Sequence, residues 1–152
     1  MVSCIANQMR YTYSMFDHCL YFNTAALARQ LERNWTEAYK PFGLTAPQGF
    51  LLRAVLRRPG ILQGQLAEAL AISRPTATRA LDGLAAKKLI TRRPSNSDGR
   101  EIEVHPTASA VALQVPLDKA SAAITTRIKQ VIGEAPFADL VTGVREVRYA
   151  LK

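Results

Sequence analysis

Residues Gln63–His105 read QGQLAEALAISRPTATRALDGLAAKKLITRRPSNSDGREIEVH, and their pattern decides the fold. Two short helical patterns come first, with Ile72 and Ser73 between them. In Gln63–Leu70, residues Leu66, Ala67 and Leu70 form an inward face; from Arg74 onward, Ala77, Ala80, Leu81 and Leu84 do the same. Ser73 caps the second helix, and Pro75 is tolerated in its first turn. Leu89-Ile90-Thr91 reads as a strand. The stretch from Arg92 to Arg100 is dense in turn residues, from Pro94 through Ser95, Asn96, Ser97 and Asp98 to Gly99. Glu101–Val104 alternates and returns as a second strand, which Pro106 breaks. Helix, tight turn, helix and two-stranded wing together make a winged helix-turn-helix, a device for reading DNA.

The flanks are helical. Asp17 is placed to cap a helix running to about Tyr39, with Leu20, Thr24, Leu27, Leu31, Trp35 and Ala38 as one stripe. Pro41 and Gly43 end it. Thr45 opens the next helix, with Pro47 in its first turn, Gln48 completing a capping box, and Phe50, Leu51, Val55 and Leu56 as core. Thr107 caps a helix from Ala108 to Ile132, which Pro116 should kink or interrupt and which Gly133 and Pro136 end. A last helix spans Phe137–Leu151, with Leu140, Val144, Val147 and Leu151 as its stripe. The terminal helices thus carry apolar stripes that a lone three-helix DNA-binding core could not cover. Isologous pairing of two copies would bury them and set two recognition helices about one DNA turn apart. The expected class is mainly α (α+β): one winged helix-turn-helix domain over 1–152. Its N- and C-terminal dimerisation helices are 17–43 and 107–152, and its DNA-binding lobe is 44–106.

Charge points to the same partner. The chain carries +8, and between Arg53 and Arg100 ten basic side chains face only Glu68, Asp82 and Asp98. A polyanion partner, such as double-stranded DNA, is the simplest functional explanation; the alternative is a solvated surface that merely aids solubility. No run is long and apolar enough to span a bilayer, and the first residues lack a signal-peptide core, so no membrane and a cytoplasmic location are expected. Cys4 and Cys19 are then reduced by default, and with His18 and His105 they form no metal-ligand spacing. No paired carboxylates, phosphate-cradling loop or nucleophile–base pattern argues for an enzyme, and no cofactor is implied. The rival non-enzymatic class is a constitutive architectural DNA binder.

A helix fits the major groove and reads base edges with its N-terminal half. The expected contacts are Ser73, Arg74, Pro75, Thr76, Thr78 and Arg79. At the wing tip Ser97, Asp98, Gly99 and Arg100 suit the minor groove, with Asp98 supporting Arg100.

These pieces resemble the MarR family of bacterial transcription regulators: LTAPQGFLL (Leu44–Leu52), QLAEALAISRPTATRALDGLAAKKLITRR (Gln65–Arg93), and SDGR (Ser97–Arg100) followed by Thr107. The resemblance implies a homodimer, joined by its first and last helices, on palindromic promoter DNA. It implies repression relieved by a small molecule or by cysteine oxidation. Two positions depart from the family habit: Ala110 and Lys88 stand where many members have glycine.

Two switches fit. Cys19, at the start of the first helix, occupies a place where a helix dipole favours the thiolate; the family's redox-sensing branches carry a reactive cysteine early in this helix. Alternatively, a small aromatic or lipophilic effector binds, as the resemblance implies, between helices one, two and five. His18, Phe22, Asn23, Phe50 and Arg53 are the candidates for that pocket.

Overall fold

The computed structural model describes residues 15–96 and 100–151. Its elements are helix α1 (Leu20–Tyr39), a 3-10 turn (Lys40–Phe42), α2 (Ala46–Arg57), strand β1 (Ile61–Leu62), α3 (Gln63–Ala69) and α4 (Arg74–Ala86). Strands β2 (Ile90–Pro94) and β3 (Ile102–Pro106) and helices α5 (Ala108–Ile132) and α6 (Glu134–Ala150) follow. The mainly helical winged-helix class is as expected.

Three helix starts follow directly from side-chain chemistry. Thr45 Oγ1 accepts from the Gln48 amide and Gln48 Oε1 accepts from the Thr45 amide, a complete capping box. Ser73 accepts from the Thr76 amide, and Thr107 from the Ala110 amide. The start of α1 differs from expectation. Cys19, not Asp17, holds the N-cap position, without a side-chain cap. Asn23 Nδ2 instead closes the preceding turn, donating to the Asp17 and Cys19 carbonyls at 2.7 and 2.9 Å.

Strand β3 ends at Pro106, as expected, whereas Pro116 does not interrupt α5. Pro106 is the last residue of β3, paired with Ile90, where the missing N–H removes no interior ladder bond. Helix α5 runs unbroken through Pro116, which has no N–H to give the Ala112 carbonyl. Gly133, at φ 95, does end α5; Pro136 lies in the first turn of α6.

The sheet is antiparallel in the order β1-β3-β2. Strand β1, which no sequence pattern marks, exists through the pairings Ile61↔Val104 and Leu62↔Glu103. The core sits under the lobe. Leu51, Leu52, Val55, Leu66, Leu81, Leu84 and Val104 are fully buried, joined by Tyr39 from α1 and Leu117 from α5. Each such side chain contributes roughly 1.5–3 kcal/mol by leaving water. Phe50, expected in this core, lies outside it. Gly49 beside it has no Cβ, and the Tyr39 ring fills that space against the helix. Phe50 therefore packs edge-on against Tyr39 at 6.1 Å and stays partly exposed.

Among the described residues, two that are not glycine adopt left-handed backbone, Ala71 (φ 52) in the turn between α3 and α4 and Lys88 (φ 58) between α4 and β2. Each costs roughly 1–2 kcal/mol. Hydrogen bonds hold both turns: Ile72 N–H to the Ala67 carbonyl, Leu89 N–H to the Leu84 carbonyl, and the Thr107 hydroxyl to the Lys88 carbonyl.

Candidate nucleic-acid interface

Helix α4 buries Ala77, Leu81 and Leu84 and turns its other face outward. Arg74, Pro75, Thr76 and Arg79 are exposed along it, and Ser73 is exposed at its cap. Thr78 is different. It is half-buried; its hydroxyl donates to the Arg74 carbonyl at 3.0 Å and accepts from Gln63 Nε2 at 2.8 Å. Helix α3 thereby grips α4 through a side-chain bond that no sequence signal announced.

The wing rises on β2 and β3. Ser97, Asp98 and Gly99 lie outside the described residues; below them the Ser95 amide donates to the Glu101 carbonyl at 2.8 Å. Arg100 is exposed. It lines a polar cleft of about 220 Å³ together with Arg74 and with Gln63, Gly64 and Glu101. The fold thus brings the first arginine of the helix and the arginine of the wing to one place, although they are distant in sequence.

Arg92 was readable only as one of many basic residues. On β2 it reaches back to α4, donating to Asp82 Oδ1 at 2.7 Å and to the Thr78 carbonyl at 3.4 Å. Its Nε is buried and has no acceptor among the described residues.

The effector candidates separate into two groups. Phe50 lines an apolar groove of about 530 Å³ with Leu31, Trp35, Pro47, Leu70, Ile72 and Arg148. Arg53 lies beside Phe50, its guanidinium carbon 5.7 Å from the ring centroid. It is also bound into the scaffold: Nε donates to Asp118 at 2.7 Å, and Nη1 donates to Ser121 Oγ at 2.8 Å and to the Tyr39 hydroxyl at 3.2 Å. Burial alone would lower its pKa; the hydrogen bond to Asp118 and the contribution of Tyr39 outweigh that and hold it above the ordinary arginine value. Trp35 donates to the same Ser121 hydroxyl, so α1, α2 and α5 meet at one polar node. His18, Phe22 and Asn23 do not join this group: Phe22 packs on Phe16 at 5.8 Å, Asn23 closes the turn before α1, and none of the three lines the groove. Cys19 is a half-buried free thiol at the N-cap of α1.

A second groove, of about 460 Å³, runs between α1 and α6. Leu27, Phe137, Leu140, Val141 and Val144 line it. No described helix is long and apolar enough to cross a membrane.

Helix-turn-helix, wing and three-stranded sheet define a winged helix protein. Residues 42–101 match the model of the MarR family. No curated protein matches the chain by sequence. Among solved structures, the MepR–DNA complex of S. aureus superposes with a TM-score of 0.78 at 20% identity, covering 86% of this chain and 96% of that one. The repressor CouR bound to a 23-mer DNA duplex gives 0.78 at 23%, covering 86% and 93%. PcaV of Streptomyces coelicolor with its natural ligand gives 0.72 at 21%, covering 83% and 92%. At these identities the likeness is one of fold. The resemblance to the MarR family is borne out: the segment 42–101 carries the family's sequence pattern, and the chain around it has the fold of MarR-family transcriptional regulators.

Proposed function

We propose that the chain is a sequence-specific, DNA-binding transcription regulator, acting as a cytoplasmic homodimeric repressor on palindromic promoter DNA. The observation that carries this reading is the meeting of Arg74 and Arg100 at one polar cleft, where recognition helix and wing can grip adjoining grooves. Arg74, Thr76 and Arg79 read the major groove, and Arg100 enters the minor groove. Helices α1, α5 and α6 join the two copies, and residues 44–106 form the DNA-binding lobe. Support for the pairing is the exposed stripe of Leu140, Val144 and Val147 on α6.

Release is assigned to a small lipophilic or aromatic effector in the groove that Phe50 lines. The groove supports this route because Trp35, on its wall, is bonded to the node that joins α2 to α5. An occupant that moves Trp35 changes how the lobe sits on α5, and hence the spacing of the two recognition helices.

Fluorescence anisotropy at fixed salt tests the function, with duplex from the gene's own upstream region and a random duplex. The wild-type chain is expected to prefer the upstream duplex. Arg79→Ala is expected to relax that preference, and Lys87→Ala to weaken both duplexes alike. Equal affinity of the wild type for both duplexes refutes the reading. The same titration with peroxide-treated protein and with Cys19→Ser separates the effector route from a thiol switch: release of the wild type but not of Cys19→Ser would move the sensor to Cys19.

A further inference from the structure

We propose that Arg92 is a positioning residue for DNA reading: it brackets the recognition helix against the wing and so sets which base edges Arg74, Thr76 and Arg79 can reach. The inference rests on the DNA-binding function proposed above. Arg92 stands on β2 and donates to two acceptors on α4, Asp82 Oδ1 at 2.7 Å and the Thr78 carbonyl at 3.4 Å. Thr78 and Asp82 are four residues apart, one above the other on the same side of the helix. A planar guanidinium that holds both fixes the roll of α4 about its axis as well as its distance from the strand.

Thr78 is also where α3 takes hold, through Gln63 Nε2 at 2.8 Å. One turn of α4 is therefore tied to the preceding helix by Gln63 and to the wing by Arg92. That turn directly follows Arg74 and Thr76 and contains Arg79. Stability is a poor explanation for the pair. Asp82 is more than half exposed, and ion pairs of that kind add little to folding. A phosphate contact is a poor explanation too, because the terminal nitrogens of Arg92 are engaged with the helix and its Nε is buried.

The test measures affinities of the full chain for the upstream duplex and for a random duplex of equal length, over a range of salt, with melting temperature measured alongside. Arg92→Ala and Arg92→Lys are both expected to lower the upstream-to-random affinity ratio by about tenfold, the worth of one well-placed base contact. The salt slope should stay as in the wild type, because no phosphate contact is lost. Lysine is expected to fail because it keeps the charge but not the planar two-point fork. Asp82→Asn, which keeps an acceptor, should show a smaller fall in the same direction; it also serves if Arg92→Ala does not fold. The proposal is overturned if Arg92→Ala weakens both duplexes equally, lowers the salt slope by about one and is rescued by lysine, the signature of a phosphate contact. It is overturned equally if the ratio does not change, whether or not the melting temperature falls. Failure of the wild type itself to prefer the upstream duplex removes the underlying function, and the proposal with it.

Discussion

Leu51, Leu52, Leu66, Leu81, Leu84 and Val104 of the winged lobe are fully buried, whereas α6, from Glu134 to Ala150, contains no buried residue. Both regions follow the same helical logic of one apolar stripe per helix. In the lobe, α2, α3, α4 and the sheet close over one another's stripes. In the terminal region the stripes of α6 and of the outer part of α5 stay open: Val131 is 74% exposed and Leu151 80%. A lone chain of 152 residues gains nothing from such exposure. The contrast teaches that the lobe closes its core with Tyr39 of α1 and Leu117 of α5, while the outer stripes of the terminal helices face a surface that the described residues do not supply. A second copy is our assignment for that surface.

The sharpest way to break the contrast is to put charge on the open stripe. Leu140→Glu with Val144→Glu should leave the lobe folded, yield a monomer in sedimentation, and weaken binding to a palindromic duplex by about a thousandfold, the loss expected when two linked half-site contacts become one. Retained dimer and retained affinity would show that α6 does not pair the copies. Next comes the lobe. Leu81→Ala should lower unfolding free energy in urea by about 3 kcal/mol, because it opens a cavity under the recognition helix. Leu140→Ala, on the open face, should cost a monomer far less.

A smaller effect is expected where the lobe meets α1. Gly49→Ala drives a Cβ into the Tyr39 ring and should destabilise by about 2 kcal/mol in the same urea titration. No loss would mean that Tyr39 can leave its place, and the α1–α2 seam would then be looser than described. The smallest change has the opposite sign. Lys88→Gly relieves a left-handed residue and should raise stability by about 0.5–1 kcal/mol, seen as a small rise in melting temperature.

Lys88 also shows how far the sequence alone could reach. Departure from a glycine habit was visible there, but the positive φ that gives it meaning was not. Helix starts at Thr45, Ser73 and Thr107 were legible because each cap bonds to its own neighbouring backbone. Strand β1 was not: two residues become a strand only when β3 arrives beside them. The exposed residues Arg74, Thr76 and Arg79 follow from helical spacing. Their meeting with Arg100 does not, since it depends on how the wing folds back. Phe50 looked like core by its spacing, yet Gly49 lets Tyr39 take the adjacent space. Arg53 looked available, yet Asp118 and Ser121, more than sixty residues later, already engage it. Local bonds leave a trace in local sequence; a side chain whose partner lies on another element does not.

Hydroxyl-radical footprinting on the gene's own upstream duplex tests the central claim most directly, because it reads both regions at once. In the proposed function the lobe supplies each contact and the terminal helices set the distance between two of them. The account predicts two symmetry-related protected patches with centres about one helical turn, roughly ten base pairs, apart or a multiple of it. A single protected patch, or even protection along any duplex, would contradict it.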